Sequence, residues 1–393
     1  MTSSVCGESY RQSACPLPSM PDLVAAIDSQ LSTHLDARRR DAAYLGADYE
    51  ALIVALVRFI LGGGKRLRPM FAYWGWRAAL PANSRPSPSE VENLLLLFSA
   101  LELLQGCALL HDDIIDQSEQ RRGKATAHIA FADLHRASEW SGSAEQFGIS
   151  AAILMGDLSL TWADDIVASA PLSRDTHQRV QKVWSKLRTE ILGGQFLDIV
   201  AECSNNESIV AAMKVNRYKT AAYTVARPLQ LGAAAAADRP DCQKVFHSIG
   251  MAFGIAFQLH DDILDLFGDP ALTGKARGQD LRCGKRTVLL AEAIARADSS
   301  APKTGNHLRG LVGSNLTEAE VADCAALIET LGARAAVEER INSLMQQGLH
   351  ALDAAPVDAV ARIGLRQLAA NLCTPSERGN DDPALPARIG ERT

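Results

Sequence analysis

The sequence predicts an all-α protein folded as a single large helical bundle. Alanine and leucine dominate many stretches while aromatic residues make up only 5% of the chain, a mix that favours helix over strand. Apolar residues recur at three- and four-residue spacing from Pro21 onward, beginning with Leu23, Ala26, Ile27 and Leu31. No run of strand-like alternation interrupts them.

In chain order, residues 1–20 are rich in Ser, Cys and Pro and lack periodicity, as expected of a flexible tail. After the segment opened by Pro21, helix-period patterns cover about 48–61, 66–80, 89–116, 147–170, 176–203, 207–236, 242–267, 286–297, 317–331 and 333–352. Breaks fall at Gly62-Gly63-Gly64, Pro81 to Pro88, Ser141-Gly142-Ser143, Pro171, Pro240, Asp269-Pro270 and Gly274. From Thr374 the chain turns polar and proline-rich, a second loose tail over 374–393. One domain spanning 21–373 is the economical division, and the 47% hydrophobic content supplies a sizeable core.

The net charge of −6 gives no reason to expect a nucleic-acid partner. The N-terminus lacks a basic stretch followed by an apolar run, so no secretory signal is read there. Leu94 to Leu110 is the most apolar stretch. It contains Glu102 and Gln105 and runs into His111, Asp112 and Asp113, a polar load that fits a buried core helix and not a transmembrane one. Cys6, Cys15, Cys107, Cys203, Cys242, Cys283, Cys324 and Cys373 form no CxxC pair. Free thiols in a reducing cytoplasm are the expectation.

The chemistry sits in a repeated hexapeptide. His111-Asp112-Asp113-Ile114-Ile115-Asp116 reappears as His260-Asp261-Asp262-Ile263-Leu264-Asp265, each ending an apolar helical run. Asp112 and Asp116 are i, i+4 and share a helix face with Asp113. Such carboxylates repel one another unless a cation sits among them. Mg²⁺ fits, because it takes oxygen ligands and keeps positions open for phosphate. A solvated acidic helix end satisfies the spacing of one copy equally well. Two copies on apolar helices argue for an acidic box that holds metal ions and, through them, a polyanion.

Basic groups supply the other half. Gly62-Gly63-Gly64-Lys65-Arg66-Leu67-Arg68-Pro69 places flexible backbone before a cationic turn suited to phosphate, though an ordinary helix start with snorkelling cations reads the same way. Arg121-Arg122-Gly123 follows the first Asp cluster and could close over a bound diphosphate, or simply pair with Asp116 and Glu119. Lys219-Thr220 lies in a helical run where surface exposure is the plainer reading. Lys275 and Gly284-Lys285-Arg286-Thr287 flank Asp280 and suit a lid over phosphates.

Lys65 to Pro69, the Asp112 cluster with Arg121-Arg122-Gly123, Gly194-Gln195-Phe196-Leu197-Asp198, Lys219-Thr220, Gln258 with the Asp261 cluster, and Lys275 to Lys285 occur in an order that resembles the trans-isoprenyl diphosphate synthase (polyprenyl synthetase) family. Gly156 to Asp165 and Met213 to Gly232 resemble its actinobacterial geranylgeranyl diphosphate synthases. The resemblance implies a helical bundle of the isoprenoid synthase type around a central cavity. It implies condensation of isopentenyl diphosphate with an allylic diphosphate (dimethylallyl, geranyl or farnesyl) and a homodimer. Asp112, Asp116 and Asp261 would bind the metals, with Asp113, Asp198 and Asp265 in support; three Mg²⁺ ions are expected, replaceable by Mn²⁺. Lys65, Arg68, Gln105 and Arg122 would hold isopentenyl diphosphate. Arg121, Lys219, Lys275 and Lys285 would hold the allylic diphosphate, and Lys219, Thr220 and Gln258 would line the carbocation. Asp157, Asp164 and Asp165 suit capping or surface roles.

A class I terpene cyclase shares the fold and one Asp cluster, but gives no reason for a second cluster or for the Lys65–Arg68 site. A non-catalytic partner subunit tends to lose metal carboxylates, and here both sets are complete. For product length, Ala108 lies one turn below Asp112 on the same face, with Cys107 beside it. In the family a bulky aromatic here floors the pocket. Both residues are small, which places the floor deeper, near Leu104 or Leu101. The expected product is therefore the C20 geranylgeranyl diphosphate over the C15 farnesyl diphosphate, with longer chains as the other alternative.

Overall fold

The computed structural model describes residues 19–121, 123–270 and 277–372. Nearly all of both expected tails falls outside these residues. The first helix, α1 (Met20–Asp41), starts at a reciprocal cap: Ser19 Oγ accepts from Asp22 N, and the Asp22 carboxylate accepts from Ser19 N. Then come α2 (Ala47–Leu61), α3 (Leu67–Ala79) and α4 (Pro88–Ile115). Ser87 and Glu90 form the same cap on α4, with Pro88 in its first turn. A two-residue hairpin, β1 (Gln120–Arg121) and β2 (Lys124–Ala125), leads to α5 (Ala127–Ala137), α6 (Ala144–Ser169) and α7 (Arg174–Cys203).

Residues 209–236 form one rod with an irregular centre. The α-helix α8 (Ile209–Val215) widens into a π-helix over Asn216–Ala226 and returns to α-helix as α9 (Arg227–Ala236). Next is α10 (Pro240–Phe267), followed by α11 (Gln279–Cys283), α12 (Val288–Ser300), α13 (Pro302–Leu311), α14 (Glu318–Thr330), α15 (Ala333–Asp353) and α16 (Ala359–Ala370). α4 lies at the centre of the largest core cluster, packed on α6 and α3, and α10 lies between the π-helix and α15. α4 is long and apolar enough to span a membrane, yet 67% of its most apolar window is buried inside the protein. It is the core helix its embedded Glu102 and Gln105 suggested.

The all-α expectation holds. The periodicity missed α5, α11, α13, α16 and the hairpin. α13 (PKTGNHLRGL) has two glycines and few apolar residues; packing on α12 offsets its weak propensity. The hairpin is two residues per strand, too short for any alternation to register.

Close approach of backbones sets the bundle geometry. A Cβ added to Gly232 of α9 would lie 1.8 Å from the Ala72 carbonyl oxygen of α3, and one on Gly75 would lie 2.2 Å from the Leu229 carbonyl oxygen. These reciprocal contacts leave no room for a methyl group, whereas Gly310 in α13 faces open space. Gly232→Ala is therefore expected to lower the free energy of urea unfolding by about 1–3 kcal/mol. Gly310→Ala is expected to raise it by about 0.5–1 kcal/mol. Equal effects at the two positions would contradict the crossing.

Candidate active site

The end of α4 delivers the first Asp cluster, and its three carboxylates go to different places. Asp112 points at α7 and the π-helix. Gln195 Nε2 donates to its Oδ1 at 3.0 Å, and Lys219 Nζ does so at 3.1 Å. Asp116, the C-cap of α4, accepts from Lys285 Nζ at 2.7 Å. Asp113 is buried and turns the other way, taking Arg121 through Nε at 2.9 and 3.0 Å and through Nη2 at 2.7 Å. The hairpin doubles the chain back to place Arg121 there, its turn made at Gly123 (φ 74°), where a side chain is disfavoured. Thr126 closes the loop with a 2.7 Å bond to the Ser118 carbonyl. Arg121 thus pairs with Asp113, and at 3.8 Å with Asp112, and not with Asp116 or Glu119 as the sequence also allowed.

Asp198 on α7 joins the lysines. It accepts from Lys219 at 2.7 Å and from Lys285 at 3.2 Å, while Glu202, one turn on, lies 3.0 Å from Lys285. Three elements, the π-helix, α7 and the turn after α11, therefore converge on the tip of α4. Burial opposes charge on Lys219 and Lys285, but Asp112, Asp198 and Asp116 outweigh it and raise both ammonium pKa values. Burial likewise disfavours ionised Asp112, yet Lys219, Lys285 and Arg121 hold its carboxyl below the usual range. At Asp116 burial and the neighbouring Asp112 charge win, and the pKa rises. Asp113 also rises, because burial exceeds the pull of Arg121.

The second cluster ends α10. Asp262 is buried inside the bundle and accepts from Gln258 Nε2 at 2.8 Å; burial pushes its carboxyl up to about 8, and its Oδ2 has no partner. Gln258 Oε1 in turn accepts from Thr220 Oγ1 at 2.6 Å, linking α10 to the π-helix. Asp265 folds the following segment back, accepting from Asp280 N at 3.1 Å through its side chain and from Gly278 N at 2.9 Å through its carbonyl. Asp261 is exposed. A small recess borders Asp262, Asp265, Asp280 and Lys285. Among the described residues no three His, Cys, Asp or Glu side chains gather as a ready-made metal site. Lys219 and Lys285 stand between the carboxylates instead, supplying the positive charge that so acidic a cluster requires.

The cationic turn before α3 makes its contacts with other groups. Lys65 Nζ reaches the Asn371 carbonyl at 3.4 Å. Arg68 stacks over the Tyr223 ring at 4.4 Å and donates to Thr224 Oγ1 at 3.0 Å, both on the π-helix. Gln105 is half-buried on α4. Leu104 and Cys107 are buried, and the Cys107 thiol, its pKa pushed up to about 12 by burial, turns to His111 Nδ1. Ala108 stays half-exposed. Asp164 accepts from Trp184 Nε1 and pairs with Arg188, so it ties α6 to α7. Arg122 and Lys275 lie outside the described residues. Gln195 and Glu202 were missed as site residues; Gln195 lies three positions before Asp198 and Glu202 four after it, the i, i+3 and i, i+4 signal that would have found them. The five described cysteines, Cys107, Cys203, Cys242, Cys283 and Cys324, are unpaired.

Comparison with known proteins decides what this constellation belongs to. Residues 50–329 match the polyprenyl synthetase family. The chain belongs to that family. As a polyprenyl synthetase it is a prenyltransferase, a prenyl diphosphate synthase. It is 31% identical over 314 residues to the geranylfarnesyl diphosphate synthase of Aeropyrum pernix, covering 78% of this chain and 89% of that protein. It is 28% identical to a (2E,6E)-farnesyl diphosphate synthase of Mycobacterium tuberculosis, covering 77% and 75%. A crystal structure of the geranylgeranyl pyrophosphate synthase of Corynebacterium glutamicum, complexed with isoprenyl diphosphate and magnesium, superposes with a TM-score of 0.86 at 42% identity. The match covers 91% of this polyprenyl synthetase and 99% of that chain.

Proposed function

We propose that this polyprenyl synthetase joins isopentenyl diphosphate head to tail (1′-4) to an allylic diphosphate and releases pyrophosphate, with geranylgeranyl diphosphate (C20) as the product. The observation that carries the reading is the presence of two Asp clusters together with two sets of cations that make different contacts. Lys219, Lys285 and Arg121 bond the carboxylates of the first cluster, whereas Lys65 and Arg68 bond the Asn371 carbonyl and the Thr224 hydroxyl. A cyclase would need only the first cationic group, and a non-catalytic subunit would need neither.

The donor set fits a hard divalent cation, since Asp112, Asp116, Asp261 and Asp265, with Asp198 beside them, offer only carboxylate oxygens. Magnesium held there would neutralise the diphosphate and stabilise charge on the departing pyrophosphate. The chain's own cations do the same work: Lys219, Lys285 and Arg121 leave their carboxylates to hold the allylic diphosphate while the C1–O bond breaks. Thr220 donates to Gln258, which leaves the hydroxyl lone pairs free to face growing positive charge. Lys65, Arg68 and Gln105 hold isopentenyl diphosphate, whose double bond attacks C1. A proton then leaves the new chain for the pyrophosphate. The apolar wall of α4 excludes water that would trap the cation as an alcohol.

Asp112→Ala and Asp261→Ala are each expected to lower kcat by about a thousandfold or more with helical circular dichroism retained. EDTA should abolish turnover, and Mg²⁺ or Mn²⁺ should restore it. Near-normal turnover in either variant would sink the metal assignment.

Ala108 carries the product-length reading: small and half-exposed, it leaves the tail room to grow past one turn of α4. Ala108→Phe should shorten the product by one or more isoprene units, sized by mass spectrometry. A wild-type product of C15, or an unchanged product in the variant, would remove this helix as the floor. The 42%-identical structural relative is named for C20 synthesis, which supports the assignment, whereas the sequence relatives span C15 to C25 names.

A homodimer is proposed as well. Leu192, Phe196 and Val200 form an exposed apolar stripe at i, i+4, i+8 on α7, and Ile153 and Leu154 of α6 are exposed too. Phe196→Glu should shift the sedimentation mass from dimer towards monomer. A wild-type monomer at assay concentration would refute the dimer.

A further inference from the structure

Arg66 stands between the two cationic residues assigned to isopentenyl diphosphate, and it does something different from either. Its backbone is left-handed (φ 48°, ψ 34°), a conformation that disfavours any side chain and persists only where the surroundings impose it. Those surroundings are two carboxylates. The guanidinium, 3% exposed, donates from Nε to Asp28 of α1 at 2.7 Å and from Nη1 to Glu102 of α4 at 2.8 Å. Glu102 is itself 7% exposed. A left-handed residue at the N-cap of α3 reverses the chain, so Arg66 points into the bundle while Lys65 reaches Asn371 and Arg68 reaches Thr224.

Glu102 has a second connection. It precedes Gln105 by three residues, so the two share a face of α4. One buried ion pair thus holds the turn that carries Lys65 and Arg68 against the helix surface that carries Gln105. A plain packing role, clamping α1 to α4, would not require the pair to sit between two substrate-facing cations on a strained turn. Three glycines precede the turn, and Gly63 and Gly64 have positive φ. Without an anchor such a segment would sample many conformations and pay its ordering on binding.

We infer that Arg66, held by Glu102 and Asp28, is a positioning residue that pre-arranges the turn binding isopentenyl diphosphate. This rests on the homoallylic assignment of Lys65 and Arg68 above. Arg66 touches no substrate. It fixes the separation between the Lys65–Arg68 turn and Gln105, so its loss acts on affinity for one substrate and not the other.

The test uses the full-length enzyme with three variants. In Arg66→Met/Glu102→Leu both buried charges go and apolar groups of similar size replace them, an exchange that buried ion pairs commonly tolerate. Glu102→Gln keeps the shape and one hydrogen bond, and serves if the double variant does not fold. Arg68→Ala reports on the assignment itself. Folded anchor variants, checked by circular dichroism and thermal melting, are expected to raise KM for isopentenyl diphosphate about tenfold while KM for the allylic primer stays within about twofold. Equal changes in both KM values, or a fall in melting temperature with neither KM moved, would make Arg66 a structural clamp and overturn the inference. If Arg68→Ala moves KM for isopentenyl diphosphate and the anchor variants do not, the anchor fails while the assignment stands. If Arg68→Ala moves only the allylic KM, the assignment fails and takes the inference with it.

Discussion

The site depends on one constraint: a cluster of carboxylates at the tip of a buried apolar helix must be neutralised. α4 cannot present Asp112, Asp113 and Asp116 to water without exposing the leucines beneath them. The fold meets this by bringing cations from far along the chain. Lys219 arrives on the π-helix, Lys285 on the turn after α11, and Arg121 on a hairpin, and each is bonded to a carboxylate within 3.1 Å. Asp198 contacts both lysines and so locks α7 into the arrangement. In this state the cluster is a closed polyelectrolyte.

The π-helix is where this demand meets packing. It runs between α7 and α10, gripped so closely that a Cβ on Gly194 would lie 2.3 Å from Lys219 N and one on Gly254 would lie 2.4 Å from Ala221 Cα. The i→i+5 bonding of the wider turn changes which side chains share a face relative to an α-helix. Eleven residues consequently serve both cationic regions: Lys219 and Thr220 reach the Asp clusters, while Tyr223 and Thr224 hold Arg68. The two cationic regions are joined by one piece of backbone, consistent with π segments gathering at functional sites.

Much of the site was legible in the chain because its signals are local. The spacing in His111 to Asp116 and His260 to Asp265 puts carboxylates on helix faces whatever the tertiary structure does, and glycines before Lys65 mark a turn wherever it lies. Most long helices were equally legible, since a 3.6-residue period over twenty residues has no other reading. Short elements were not: α11, α13 and the hairpin are held by neighbours and not by their own pattern.

What only the tertiary structure decided is how the local signals are shared out. Asp112, Asp113 and Asp116 are indistinguishable as a motif, yet one faces Lys219, one is buried on Arg121 and one meets Lys285. Lys219 in a helical run reads as a surface residue, but a π-turn and two glycine contacts place it among carboxylates. Arg66 reads as one of three phosphate-seeking cations, and it is buried on Glu102. Helical period and residue spacing fix which side chains share a face, because those depend on bonds only a few residues apart. Which partner a charge finds depends on contacts about a hundred residues away, such as Lys219 with Asp112, and those exist only once the helices have packed.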